Sequence, residues 1–231
     1  ELQAMLDECF KFCVANGISF NASKCVCFEI GKNYNWLTEK MSIGPCMVEW
    51  VSNFKYLGIM FIASSSLLYD CSFAKKKFYG AFNSLMRGCV SAAEGVKVYL
   101  TKTYCLPMLT YAIGALSLSH NVIKSLGVCW NDAYRKIFSC HRWESVSSIQ
   151  YFCGDLSMTC LYDLYRWNFL SGCFDSSAPV SYIAAIVNYE ICELRKLVSL
   201  YGADSFSDYA RKRAVQKVFG QYCVLDDQGC G

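Results

Sequence analysis

A chain of 231 residues is long enough for one large domain or two small ones with a sizeable buried core. Hydrophobic residues make up 54% and charged residues 18%, a balance that argues against disorder over most of the length. A formal charge of +3 permits a nucleic-acid partner without arguing for one, since that case needs basic residues gathered on one face.

Residues 2–15 carry Leu2, Leu6, Cys9, Phe10 and Cys13 at helical spacing, and Asn16-Gly17 supplies a left-handed stop. Lys24 to Ile30 is short, apolar and β-favouring. Met47–Val51 and Phe54–Ile62 flank Ser52-Asn53, which predicts a hairpin with a tight polar turn. After Ser64-Ser65-Ser66 the period turns helical. Ala74, Phe78, Ala81, Phe82, Leu85 and Cys89 form one stripe, with Lys76, Tyr79, Asn83 and Arg87 on the other side.

Ser91-x-x-Glu94 has the form of a capping box and predicts a helix through about Tyr104, and Pro107 then forces a corner or begins another helix. Val122, Leu126, Cys129, Trp130, Ala133 and Ile137 make a further amphipathic helix. Three more helical segments are predicted over 157–174, 179–201 and 205–220. The middle one has Val180, Ile183, Val187, Ile191, Leu194, Val198 and Tyr201 in register, and a frayed tail is expected from Val224. The expected fold class is α+β and predominantly helical.

Sixteen cysteines raise a disulfide or zinc reading. No two form a Cys-x-x-Cys, the nearest pairs are Cys25/Cys27 and Cys9/Cys13, and the histidines are His120 and His141. With no signal-peptide pattern ahead of them, the expectation is free, mostly buried thiols in a reducing compartment, cytoplasm or nucleus. Residues 103–123 hold no Asp, Glu, Lys or Arg, a length near the ~20 residues that cross a bilayer. Pro107, Thr110, Ser117, Ser119, His120 and Asn121 interrupt the stretch, so it reads as a buried helical corner rather than a membrane segment.

Two short signatures carry a resemblance. The first is Asn16-Gly17-Ile18-Ser19-Phe20-Asn21-Ala22-Ser23-Lys24, a helix end and turn followed by Asn-x-x-Lys. The second is Trp50-Val51-Ser52-Asn53-Phe54-Lys55-Tyr56-Leu57-Gly58. Further along stand Cys105-Leu106-Pro107-x-Leu109-x-Tyr111, Trp130-Asn131-x-x-x-Arg135-Lys136-Ile137-Phe138 and Arg142-Trp143-x-Ser145-Val146. In this order they resemble motifs D and E and the thumb of LINE-type (non-LTR) retrotransposon reverse transcriptases, over roughly residues 1–175.

The resemblance implies three regions: the C-terminal part of a polymerase palm in a small antiparallel remnant over 1–63, a helical thumb over 64–140, and a post-thumb helical region over 141–231. It implies that Lys24 is a catalytic general acid for the departing pyrophosphate, where a cation that can give up a proton lowers the barrier. Solvation at a strand edge is the plainer reading of the same lysine. Phe54, Lys55, Tyr56, Leu57 and Gly58 resemble the primer grip, Gly58 letting backbone approach a phosphate. The alternative is an ordinary hairpin with a core tyrosine.

Lys76, Asn83 and Arg87, with Lys75, Lys77, Lys97 and Lys102 near them, would be a phosphate-tracking face for template–primer duplex. The plainer reading is a solvated helix face. Trp130, Trp143 and Trp167 are expected in the core rather than stacked on bases.

The family's metal-binding aspartates precede motif D and are absent here, so Mg²⁺ is implied for the intact parent alone, and no cofactor for this chain. Asp226-Asp227 imitates the metal turn but comes after motif E, and reads as an exposed tail. The start at Glu1, within a helix pattern, leads to the expectation of a fragment whose partners are the missing N-terminal palm and fingers, inactive alone, with no membrane association. A helical interaction or scaffold protein is the alternative, and a membrane protein built on residues 103–123 a weaker one.

Overall fold

The computed structural model describes residues 1–32, 40–175, 192–202 and 208–228. The chain divides into two compact units, Glu1–Phe73 and Ala74–Gly231. Its class is α+β and predominantly helical.

The first unit begins with α1 (Leu2–Ala15), whose Leu6 and Phe10 pack on a small core of Met41, Ile43 and Val48. Strands β1 (Val26–Cys27), β2 (Met41–Ile43) and β3 (Cys46–Trp50) form one sheet in the order β1-β3-β2. β2 joins β3 antiparallel, and β1 joins it parallel, Val26 opposite Glu49. The Gln3 amide donates to the Ser42 carbonyl at 2.9 Å and accepts the Ser42 N–H at 3.0 Å, standing in for the next strand along the β2 edge.

A second sheet follows, β4 (Asn53–Tyr56), β5 (Ile59–Ile62) and β6 (Leu68–Asp70), antiparallel throughout.

The hairpins differ from the one expected. Ser52-Asn53 is not a hairpin turn; it links two sheets. Gly44-Pro45 turns β2 into β3, with Gly44 at φ +57 and proline's fixed negative φ after it. A side chain at Gly44 would meet the Phe10 ring at 2.4 Å, so packing as well as turn geometry requires the glycine. Leu57-Gly58 turns β4 into β5, both with positive φ, 46° and 85°. The run Phe54–Ile62 is therefore two strands, not one. Gly58 is explained by this turn, because a residue there must take the left-handed region.

The second unit is helical: α2 (Ser72–Gly88, whose first residues belong to the preceding unit), α3 (Glu94–Leu100), α4 (Leu106–Thr110), α5 (His120–Phe138), α6 (Ser147–Phe152), α7 (Met158–Asp175), a helix over 192–201 (α8) and α9 (Asp208–Gln228). The Ser91/Glu94 capping box does not form. Ala93 is the N-cap of α3, without a side-chain cap bond. Pro107 stands in the first turn of α4, and Thr101–Cys105 ahead of it is a π-turn in which the Leu106 N–H reaches back to the Thr101 carbonyl. Proline has no N–H to give to the Thr103 carbonyl, so the ladder rearranges just before it.

α2 and α5 lie side by side in the same direction. Lys75 Nζ donates to Ser125 Oγ at 2.9 Å, Tyr79 Oη to Asp132 Oδ2 at 2.9 Å, and Lys136 Nζ to Asn83 Oδ1 at 3.0 Å, the partners ascending together.

Residues 103–123 make the expected buried corner: Cys105, Leu106, Leu109, Ile113, Leu118 and Ile123 are core residues. No helix among the described residues is long and apolar enough to cross a membrane. A further core joins α7, α8 and α9 through Leu164, Trp167, Leu170, Leu197, Val215 and Phe219. Val180, Ile183, Val187 and Ile191 lie outside the described residues. The expected fraying from Val224 is not seen through Gln228, to which α9 runs with Phe219 and Cys223 anchored in the core; residues 229–231 lie outside the described residues. Asp226-Asp227 is thus helical, not a tail or a turn.

Every described cysteine is free. Cys105, Cys129 and Cys160 are buried, and burial pushes their thiols above the ordinary value, so they pack as small hydrophobes.

In the same core, Tyr201 Oη donates to Asp163 Oδ2 at 2.5 Å, and burial raises the Asp163 carboxyl above its usual range. The folded state then binds this proton more tightly than the unfolded chain. The group's contribution to stability is greatest below the unfolded carboxylate range and is lost as pH rises through its raised value. Asp163→Asn keeps an acceptor for Tyr201 and removes the buried charge. Urea midpoints should therefore match wild type at about pH 3 and exceed it at about pH 7. An equal or lower midpoint at neutral pH would refute this.

Candidate nucleic-acid interface

In the first unit, Asn21 organises the lysine motif. Its carbonyl accepts the Lys24 N–H at 3.0 Å and the Cys25 Sγ at 3.3 Å, and its side-chain oxygen accepts Ser23 Oγ at 2.6 Å. Lys24 consequently ends a 3₁₀ turn, Ala22–Lys24, rather than entering a strand; only Val26–Cys27 of the expected Lys24–Ile30 run is paired. The ammonium is exposed, and no polar partner for it is found among the described residues.

β1 is tied through β3 toward the second signature. The Val51 N–H continues the pairing to the Cys27 carbonyl at 2.9 Å, and the Phe28 ring meets Phe54 edge-on at 4.7 Å. A cleft of about 530 Å³ results, lined by Lys24 and Cys25, by Phe54, Lys55 and Tyr56, and by the apolar Ile43 and Val48. Lys24 and the expected grip residues thus border one opening.

The members of the grip differ in availability. Phe54 is half-buried and stacks on Phe61 at 5.3 Å, so its ring belongs to an aromatic cluster. Lys55 lies over the Phe73 ring at 4.5 Å, a cation–π contact rather than a free strand lysine. Tyr56 is 59% exposed, not a core tyrosine, and Leu57 forms the exposed tip of the hairpin in a left-handed conformation. A cation and an exposed phenol beside an apolar floor suit an anionic group carrying a flat or apolar body.

The second unit holds the other expected face. Lys76, Asn83 and Arg87 are exposed on α2. Arg87 Nε reaches the Asn83 carbonyl at 3.3 Å, and the Asn83 side chain brings in Lys136 from α5. Lys136 is the member the sequence reading missed, because nothing local shows that α2 and α5 are neighbours.

Other expected members are engaged elsewhere. Lys75 is bonded to Ser125; Tyr79, on the same side of α2 though no member of the expected face, is turned toward Asp132, with burial and that bond pushing its phenol well above the ordinary value. Lys102 pairs with the buried carboxylate of Asp155, which also accepts Tyr134 Oη at 2.5 Å.

The tryptophans divide. Trp130 is buried and donates to the Leu156 carbonyl at 3.0 Å, and Trp167 is buried against Tyr201. Trp143, expected in the core, is instead 81% exposed. Among the described residues no group of three or more His, Cys, Asp or Glu is placed to hold a metal ion. Compared with known proteins, the chain matches no protein-family model, no curated protein and no solved structure.

Proposed function

We propose that this chain is the C-terminal palm and thumb portion of an RNA-directed DNA polymerase of the non-LTR retrotransposon type, which holds template–primer duplex and does not polymerise by itself. The observation that carries the reading is the single cleft shared by Lys24 and by Phe54, Lys55 and Tyr56 from the second signature. The cation lines an opening wide enough for a phosphate-bearing group, where an ammonium can neutralise charge and give up a proton. Lys76, Arg87 and Lys136 add a cationic surface on α2 and α5 suited to backbone phosphates. Mg²⁺ belongs to aspartates of the parent, and the partners are the duplex and the remaining palm and fingers. The exposed Leu2, Met5 and Phe12 side of α1 suits such a protein partner.

Fluorescence anisotropy of a labelled RNA–DNA primer–template tests this. Affinity should fall steeply with salt, and Lys76→Ala/Arg87→Ala should reduce the slope of log K against log salt by about 2, close to one per lost phosphate contact. No primer extension is expected with Mg²⁺ and nucleotides. Absence of binding at about 50 mM salt, where phosphate contacts are strongest, would overturn the reading.

A further inference from the structure

The loop joining α5 to α6 is built more rigidly than its exposure calls for. Ser139 takes φ +57 at the end of α5, and the Cys140 N–H returns to the Arg135 carbonyl at 2.9 Å. His141–Glu144 is then closed twice. The Glu144 N–H donates to the His141 carbonyl at 3.2 Å, and the His141 N–H donates to the Glu144 carboxylate at 2.6 Å. Arg135 holds the far side, donating from Nη2 to the Glu144 carbonyl at 3.3 Å, and buried Val146 anchors the exit. On this frame the Trp143 indole lies flat on the His141 imidazole, centroids 4.6 Å apart and planes 3° from parallel. The imidazole covers one face of the indole, and the side chain is otherwise open to water.

We propose that Trp143 is a stacking platform for an unpaired base of single-stranded nucleic acid, with Arg142 beside it to meet the adjoining phosphate. A large indole left in water gains nothing from burial, yet this one is fixed in orientation, so a flat partner arriving on its open face loses little freedom of the protein. The local charge selects an anionic strand. Arg142 is exposed, with no ion-pair partner among the described residues, and Lys136 lies in the last turn of α5. The one acid of the turn, Glu144, is engaged by the His141 amide. Stacking tolerates any base and either sugar, so the inference concerns strand state, not sequence.

This inference rests on the nucleic-acid reading above, and the experiment separates the two. The full chain is titrated with labelled oligothymidylate, with an abasic strand of equal length, and with duplex. Wild type should bind oligothymidylate about tenfold tighter than the abasic strand, Trp143→Ala should erase that preference, and Trp143→Phe should keep most of it. Duplex affinity should change little in either variant, and circular dichroism should be unaltered because the residue is exposed. Equal binding of oligothymidylate and abasic strand by wild type, or an undiminished preference in Trp143→Ala, overturns the stacking role while leaving duplex binding intact. Failure of all three probes to bind removes both readings together.

Discussion

Arg166→Ala should destabilise the helical unit by about 3 kcal/mol, seen as a lower urea midpoint by far-ultraviolet circular dichroism with an unchanged denaturant slope. Arg166 on α7 is 3% exposed at its side chain. It donates to the Gly114 carbonyl at 3.1 Å and to Glu193 of α8 from Nε and Nη2, at 3.2 and 2.8 Å. Truncation strands both acceptors. Breaking a buried pair costs about 3–5 kcal/mol, and the carboxylate left behind is 24% exposed, so water recovers part of its charge and the lower figure applies.

The same arginine explains how the uncharged stretch 103–123 is accommodated. Between α4 and α5 its backbone makes turn bonds instead of a continuous helical ladder, and α7 supplies further partners. Arg166 serves Gly114, while Tyr162 Oη donates to the Leu116 carbonyl at 3.1 Å and accepts the Leu118 N–H at 3.2 Å. The approach is close enough that a side chain at Gly114 would meet the Tyr165 carbonyl oxygen at 2.5 Å. Replacing Arg166 and Glu193 together by methionine should recover most of the loss, since an apolar pair leaves no unpaired charge. A loss below about 1 kcal/mol in Arg166→Ala would mean that water already serves these groups.

Helices that bury one stripe were legible in the sequence. Phe78 and Phe82 on α2 and Leu126, Trp130 and Ile137 on α5 follow from apolar spacing, because a stripe of that period has one way to leave water. Turns were less legible. Ser52-Asn53 has turn composition but links two sheets, whereas the hairpin at Leu57-Gly58 places a leucine where φ is positive, a choice that no turn preference favours. Gly44-Pro45 escaped the sequence reading although it is a dipeptide that punctuates chains.

Contacts between distant segments were not readable at all. Asn83 and Lys136 are 53 residues apart, so the cationic surface they share has no local signature. Trp143 is different: its neighbours His141, Arg142, Glu144 and Ser145 are polar, so the sequence did carry a signal for the exposed turn that Glu144 closes.

The cleft allows structure and binding to be separated at neighbouring residues of one strand. Among its described residues the first unit has few buried side chains, Cys13, Met41, Ile43 and Val48, so its aromatic cluster carries much of its cohesion. Phe54 is the centre of that cluster, touching Phe28 at 4.7 Å, Phe61 at 5.3 Å and Tyr56 at 6.5 Å, while Phe61 in turn meets Tyr69 at 5.4 Å. Phe54→Ala should cost about 2–4 kcal/mol, from lost apolar area and ring contacts together, enough to open a unit with so small a core. Limited proteolysis of the full chain should then show new cuts within Glu1–Phe73 and protection kept in the helical unit. Tyr56→Ala, two residues along on the same strand but mostly exposed, should leave the cleavage pattern unchanged and weaken primer–template binding several-fold. Unchanged proteolysis in Phe54→Ala would show that the hairpin is held by something other than its rings, and unchanged affinity in Tyr56→Ala would remove the cleft from the nucleic-acid interface.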